Sequence, residues 1–235
     1  MEPLDRAQGF PTSTAAAERV TAFLRTVYGW MCAGQAITAV VAGTIASSPA
    51  LVRALVSSHL LFLLLFAGQI GLVFYLSARV DRLAVGTATL LFILYAALTG
   101  VTFSVLLLAY TGASIATTFL VTAGMFGALA LYGTTTARSL AGVGQFFFMG
   151  LIGLVLASVV GIFWRNAALE FLISVVGVIV FTGLTAWDAQ RLKQMATAVP
   201  EAQLGSYAIV GALSLYLNFI NLFLFLLRFM GGRRD

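Results

Sequence analysis

Long apolar segments separated by short polar links dominate the pattern of the chain. About 20 apolar residues in a helix cross a hydrocarbon core of roughly 30 Å, and each segment approaches or exceeds that length. The pattern therefore predicts an all-α protein with seven spans, at Thr26–Ser47, Leu60–Ala78, Ala84–Ala109, Ala113–Gly133, Val143–Trp164, Phe171–Trp187 and Tyr207–Leu227. We expect one helical domain over residues 23–230, a disordered polar tail over 1–22 and a short basic tail over 231–235.

The last span carries side-chain amides near its middle. Asn218 and Asn221 are three residues apart and so share one face of the helix. Hydrocarbon gives an amide no hydrogen-bond partner, which costs several kcal/mol. That face should look towards other helices or water, and we predict that six helices pack around this seventh one. The amides could be interhelical contacts or could line a pore; the spacing leaves both interpretations open.

Composition agrees with a membrane protein and excludes a soluble domain. The chain is 61% hydrophobic and 9% charged, with a mean hydropathy of +1.03. The net charge of +5 does not indicate nucleic acid, because the basic residues are scattered at the ends of the spans. With the N-terminus inside, eight basic residues fall on the inner side (Arg6, Arg19, Arg25, Arg79, Arg82, Arg138, Arg191 and Lys193) and five on the outer side (Arg53, Arg165, Arg228, Arg233 and Arg234). The positive-inside rule thus favours an inner N-terminus and an outer C-terminus.

The sequence lacks the residues that several classes of membrane protein and enzyme require. The single lysine, Lys193, lies in a predicted loop, so no span offers a Schiff-base lysine. The single histidine, His59, stands at the end of a span, which excludes a histidine-rich zinc site and a Ser–His protease pair. Cys32 has no cysteine with which to form an internal disulfide. We expect neither an enzyme nor a bound cofactor.

Among the few acidic residues, Glu170 stands at the N-terminal end of the sixth span, where a carboxylate suits the helix dipole, and Asp188 directly follows the apolar run that ends at Trp187. If the sixth helix continues from Leu169 to Gln194, Asp188 lies about 9 Å from its midpoint, inside the ~15 Å half-thickness of the core. One interpretation is a surface acid beside Trp187 that pairs with Arg191 one turn later. The other is a carboxylate within the membrane that faces a polar cavity and the last helix, as in ion and proton pathways.

Two segments in the last third of the chain resemble a known family. The run GLTAWDAQR from Gly183 to Arg191, followed by LYLNFINLF from Leu215 to Phe223, closely resembles the Bax inhibitor-1 family, also called the transmembrane BAX inhibitor motif (TMBIM) family. The resemblance extends over essentially the whole chain after the N-terminal tail and is that of a bacterial member. It implies seven spans with a central last helix.

The resemblance also implies a calcium leak that responds to pH. In that family, an aspartate at the end of the sixth helix and one in the last helix form a hydrogen-bonded pair that latches a pore, and an arginine near the end of the second helix competes for one carboxylate. Asp188 matches the first aspartate and Arg79 the arginine, whereas the second aspartate is replaced by Asn218. An amide cannot titrate but can donate a hydrogen bond to a carboxylate, much as a protonated acid does. Gating would then depend on Asp188 and Arg79.

These considerations predict a pH-influenced calcium or cation leak channel in a bacterial cytoplasmic membrane. Its ion pathway or gate would involve Asp188, Asn218, Arg79, Asn221 and Arg191. Asp188 is the candidate calcium contact, although a single acid does not favour tight binding. The expected partners are the lipid bilayer, calcium ions and other membrane proteins, without nucleic acid. The competing hypothesis is a membrane regulator that binds other membrane proteins, such as a protease or stress-response complex, and conducts nothing. A proton-coupled transporter is weaker, since no second acid within the membrane is available for coupling.

Overall fold

The computed structural model describes residues 13–164 and 166–232, and every long regular element in these ranges is an α-helix. The helices are α1 (Ser13–Ala46), α2 (Pro49–Ser57), α3 (His59–Arg79), α4 (Val85–Ala109), α5 (Gly112–Thr135), α6 (Ala141–Phe163), α7 (Ala167–Ala198) and α8 (Leu204–Met230). All except the short α2 are long and apolar enough to cross a membrane. The predicted all-α class and the seven spans are therefore confirmed.

Short polar side chains begin several of these helices. The hydroxyl of Ser58 accepts the backbone N–H of Leu61 at the start of α3, and Thr111 accepts that of Ser114 at the start of α5. Asn166 accepts the N–H of Ala168 at the start of α7. The first N–H groups of a helix have no partner within it, so these side chains supply one.

Helix α8 occupies the middle of the bundle. It packs against α1, α3, α4, α5 and α7, and it is the most deeply buried of the seven long helices. Its Tyr216 is fully buried, and the Tyr216 hydroxyl lies 2.6 Å from that of Thr38 on α1. The predicted central position of the last helix is confirmed. Helix α6 lies on the outside of the bundle, where it packs chiefly along α7.

Two boundaries differ from the sequence prediction. Residues 13–22 were assigned to a disordered tail, but they form the first turns of α1. Three successive alanines favour the helix there, and the Arg19 guanidinium donates to the carbonyl of Val199 after α7. Residues 1–12 and 233–235 of the predicted tails, together with Arg165, lie outside the described residues.

The second difference concerns α7, which continues well beyond the predicted end of its span at Trp187. It runs for 32 residues to Ala198, and Pro200 follows shortly after its end. The residues after Trp187 include good helix formers, and Ala189, Leu192 and Ala196 in this part of the helix are buried in the core. The extension agrees with the continuation to Gln194 that the sequence offered as a possibility, and it places Asp188 inside a continuous helix.

Helices α5 and α7 cross at very short range. A Cβ atom built on Gly133 would lie 2.1 Å from the carbonyl oxygen of Ala186, so only glycine permits this approach. The crossing holds α7 against α5 two residues before Asp188.

Candidate functional site

A polar vestibule lies between α3, α7 and α8. Its volume is about 360 Å³, and its wall includes Ser77 of α3, Asp188 and Arg191 of α7, and Tyr207, Ser214 and Leu217 of α8. The vestibule extends from Tyr207, near the N-terminal end of α8, to Ser214 and Leu217 near the middle of that helix, and Asp188 is part of its wall.

The Asp188 side chain is buried and is bound by donors from α8. Asp188 is only 7% exposed, and its Oδ2 accepts hydrogen bonds from the Ser214 hydroxyl and from Nδ2 of Asn218, both at 2.7 Å. Ser214 and Asn218 are four residues apart, so they present their polar groups from the same face of α8. Within the described chain, Oδ1 of Asp188 accepts no hydrogen bond, and it is not a fully buried atom. That oxygen can therefore bind water or a cation in the vestibule.

The contact between α7 and α8 lies deep along both helices. Asp188 stands about 8 Å along the axis from the midpoint of α7. Asn218 is one residue from the midpoint of α8. Both positions are within the ~15 Å half-thickness of a hydrocarbon core centred on these helices. A charge at such a depth is costly and is retained mainly where it has a role or a partner.

The interpretation of Asp188 as a surface acid paired with Arg191 is wrong, because α7 turns its carboxylate inward. Arg191 is exposed, and its guanidinium carbon lies 5.7 Å from the ring centre of Trp187. Both residues line the vestibule instead, and Arg191 follows Asp188 one turn closer to the C-terminal end of α7.

The other predicted site residues are not gathered in one place. Arg79 is exposed at the end of α3 and is not part of the vestibule wall, so its predicted competition for the carboxylate stays a prediction. Asn221 donates to the carbonyl of Leu217 in its own helix at 2.8 Å. Asn218 is not among the residues that line the vestibule. Its hydrogen bond to Asp188 joins α8 to α7, so Asn218 makes an interhelical contact.

The structure adds residues that the sequence did not indicate. Ser214 is the second donor to Asp188, and its place one turn before Asn218 was the available signal. The hydroxyl of Tyr207, which lines the vestibule, donates to Oδ1 of Asp81, and the hydroxyl of the neighbouring Ser206 donates to the carbonyl of Leu83 at 2.6 Å. These bonds join the turn after α3 to the start of α8.

The lineage of the chain follows from comparison with known proteins. A family described as "Inhibitor of apoptosis-promoting Bax1" matches residues 20–235. The chain belongs to the Bax inhibitor family.

Relatives within this family cover nearly the whole chain. The chain is 49% identical over 215 residues to the protein named inner membrane protein YbhL of Escherichia coli, an alignment that spans 90% of this chain and 92% of YbhL. It is 42% identical over 215 residues to a protein of Borreliella burgdorferi, with 91% and 93% of the two chains covered. A third relative, YrjE of Lactococcus lactis, is 37% identical over 221 residues, with 92% and 94% of the two chains covered.

In this member of the Bax inhibitor family, a glutamine next to the site fixes the loop between α5 and α6. Oε1 of Gln190 accepts the N–H of Leu140 at 2.7 Å, and its Nε2 donates to the carbonyl of Arg138 at 2.8 Å. Gln190 is 8% exposed, so neither backbone group can easily turn to solvent when the side chain is removed. The glutamine thereby ties α7 to the α5–α6 connection two residues from Asp188.

We predict that Gln190→Ala lowers the free energy of unfolding by about 1–3 kcal/mol, because it leaves two backbone groups unpaired. The measurement is the unfolding midpoint of purified protein in detergent. Gln194→Ala, one turn later at an exposed position, is the matched control and should change the midpoint little. Equal effects of the two substitutions would contradict this role of Gln190.

Proposed function

We propose that this Bax inhibitor family member is a pH-influenced leak pathway for cations, with calcium as the candidate ion. The observation that supports the proposal is the buried Asp188 carboxylate, which lines a vestibule and accepts hydrogen bonds from Ser214 and Asn218 of the central helix. A carboxylate at this depth attracts cations from the vestibule, whose low-dielectric walls strengthen the interaction. The protein would act without catalysis.

The oxygen ligands available at Asp188 favour weak binding of a calcium ion over tight binding. Calcium prefers six to eight oxygen ligands, with several carboxylates in tight sites. Within the described ranges no three His, Cys, Asp or Glu side chains come together. A calcium ion at Asp188 would therefore need hydroxyl, carbonyl and water oxygens to complete its shell. Weak binding of this kind allows an ion to leave, as conduction requires.

Beyond Asp188, apolar side chains fill the seam between α7 and α8. The rings of Phe181 and Phe225 are stacked with centroids 5.8 Å apart, and Phe225 lies directly against Gly177. A leak would require these rings to move, so the arrangement corresponds to a closed pathway with its vestibule open at one end.

The proposed pH response originates at Asp188. Ser214 and Asn218 both donate to Oδ2 of Asp188, and this arrangement suits an ionised carboxylate, which accepts hydrogen bonds and donates none. Protonation of Asp188 would remove the negative charge that attracts a cation. The charged and titratable groups nearest the vestibule are Arg191 and Tyr207 in its wall and Asp81, which is bound to Tyr207. Arg79 is the predicted competing cation at the end of α3. Asn218 cannot titrate, so a single acid would govern the response.

We further propose that the protein lies in a bacterial inner membrane with its N-terminus inside and its C-terminus outside. YbhL is named an inner membrane protein, and the positive-inside rule favours this orientation. The vestibule opens at the ends of α3 and α7 and the start of α8, near Arg19 of α1, so it would face the cytoplasm.

Calcium flux in proteoliposomes tests the function. Purified protein is reconstituted with a calcium-sensitive dye inside the vesicles, and the rate of calcium entry is measured from pH 5 to pH 8 beside protein-free vesicles. We expect a protein-dependent rate that changes with pH. A rate equal to that of protein-free vesicles at every pH would overturn the leak proposal and favour a regulator that binds other membrane proteins.

Restoring an acid at the partner position should change the pH profile. Asn218→Asp places a second carboxyl group against Asp188, and two close carboxyls titrate as a coupled pair. We expect the calcium flux to gain a second pH-dependent step between pH 5 and pH 8. Asn221→Asp, three residues along the same helix at a side chain bound within α8, is the control and should not add a coupled step. A profile unchanged by Asn218→Asp would contradict the assigned contact.

A further inference from the structure

An apolar cleft separates α1 from α5, apart from the vestibule. It has a volume of about 680 Å³ and continues into a second cavity of about 150 Å³; both are lined by Gln35, Ala39, Phe119 and Phe219. None of the residues that line the two cavities also lines the vestibule. Phe219 of α8 belongs to both cavities, so the cleft reaches in to the central helix.

The cleft is long and runs parallel to the helices. Its wall on α1 extends from Tyr28 to Ala42, a distance of about 21 Å along the axis. This exceeds the ~15 Å half-thickness of a hydrocarbon core. The lining side chains are mostly Ala, Leu, Met and Phe. Gln35 also lines both cavities, and its amide nitrogen is buried without a hydrogen-bond partner among the described residues. The volume falls within the range of about 300–1,000 Å³ that is usual for small-molecule sites.

Positive charge lies at one end of the cleft. Thr134 lines this end, and its carbonyl accepts a hydrogen bond from Nζ of Lys193 at 2.8 Å. Arg25 is exposed and stands three residues before Tyr28, so it lies one turn beyond the cleft on the same face of α1. The two cations are at the end of the bundle where the vestibule opens, the level of one layer of lipid headgroups.

We propose that the cleft binds an anionic phospholipid, with one acyl chain between α1 and α5 and the phosphate beside Lys193 and Arg25. The acyl chain matches the length and apolar lining of the cleft. The phosphate matches the cations, as in other basic pockets between transmembrane helices. The site is independent of the leak proposal, since it shares no residue with the vestibule.

Native mass spectrometry of the full chain in mild detergent tests the site. The protein is titrated with dioleoyl phosphatidylglycerol or dioleoyl phosphatidylcholine, which differ in headgroup charge but not in acyl chains. We expect one retained phosphatidylglycerol per chain, bound at least about fivefold more tightly than phosphatidylcholine. Lys193→Gln should reduce this preference to less than about twofold. Arg53→Gln, an exposed cation on α2 away from the cleft, should leave it unchanged.

A second pair of variants tests the acyl chain. Ala39→Trp fills the cleft where its two cavities join, whereas Val40→Trp adds the same indole at a position that is 68% exposed and outside the lining. We expect Ala39→Trp to weaken retention of phosphatidylglycerol at least about tenfold and Val40→Trp to have little effect. Equal affinity for the two lipids in the unmodified protein overturns the proposal even if a tryptophan variant fails to fold. Equal retention by two folded tryptophan variants also overturns it.

Discussion

Asp188→Asn is expected to lower the calcium flux at pH 7 at least about tenfold and to abolish its pH dependence between pH 5 and pH 8. The substitution keeps the size of the side chain but removes the one carboxylate among the residues that line the vestibule. A loss of about 1.4 kcal/mol in cation attraction suffices for a factor of ten, and charge interactions at a few ångströms in a partly buried site exceed that value. The measurement is the proteoliposome assay with the variant beside the unmodified protein.

Glu170→Gln is the matched control for this prediction. Glu170 is an exposed acid in the first turn of the same helix, so its neutralisation removes the same charge away from the vestibule. The control should retain the flux and its pH profile. If Asp188→Asn leaves the pH response as it is in the unmodified protein, Asp188 is not the gating group.

Gly133→Ala is expected to lower both the stability of the protein and the integrity of the contact between α5 and α7. The added methyl group would lie 2.1 Å from the backbone oxygen of Ala186, so α5 and α7 must separate. Overpacking of this kind costs about 1–3 kcal/mol, and the unfolding midpoint should fall by about 2–12 °C. Because the same contact holds α7 beside Asp188, the calcium flux of this variant should also be altered.

Gly127→Ala is the control variant that distinguishes the effect of close packing on stability from the effect of helix propensity. Gly127 lies in the same helix, and a Cβ atom there would meet nothing within 4 Å. Alanine favours a helix over glycine, so this variant should be as stable as the unmodified protein or more stable by up to about 1 kcal/mol. A lower midpoint for Gly127→Ala than for Gly133→Ala would contradict the close crossing.

Part of the candidate site could be predicted from the amino-acid sequence. The amide of Asn218 sits in an otherwise apolar span, and hydrocarbon obliges it to find a partner inside the bundle. Asp188 follows an apolar run with a helical pattern, which made an inward carboxylate one of two interpretations. The structure joins the two side chains at 2.7 Å. It leaves Arg79 exposed and outside the vestibule wall, because the direction of a side chain at a helix end depends on packing rather than on spacing.

The sequence by itself determined the seven spans and the central place of the last one, since both follow from the cost of unpaired polar groups in hydrocarbon. It could not determine that α1 begins at Ser13 or that α7 continues to Ala198. Local propensity is weak at those ends, and contacts between distant helices stabilise them. Nor could it reveal the cleft between α1 and α5, because the size of a cavity depends on the space that side chains of distant helices leave between them in the packed bundle. Those features are decided only by the tertiary packing around α8.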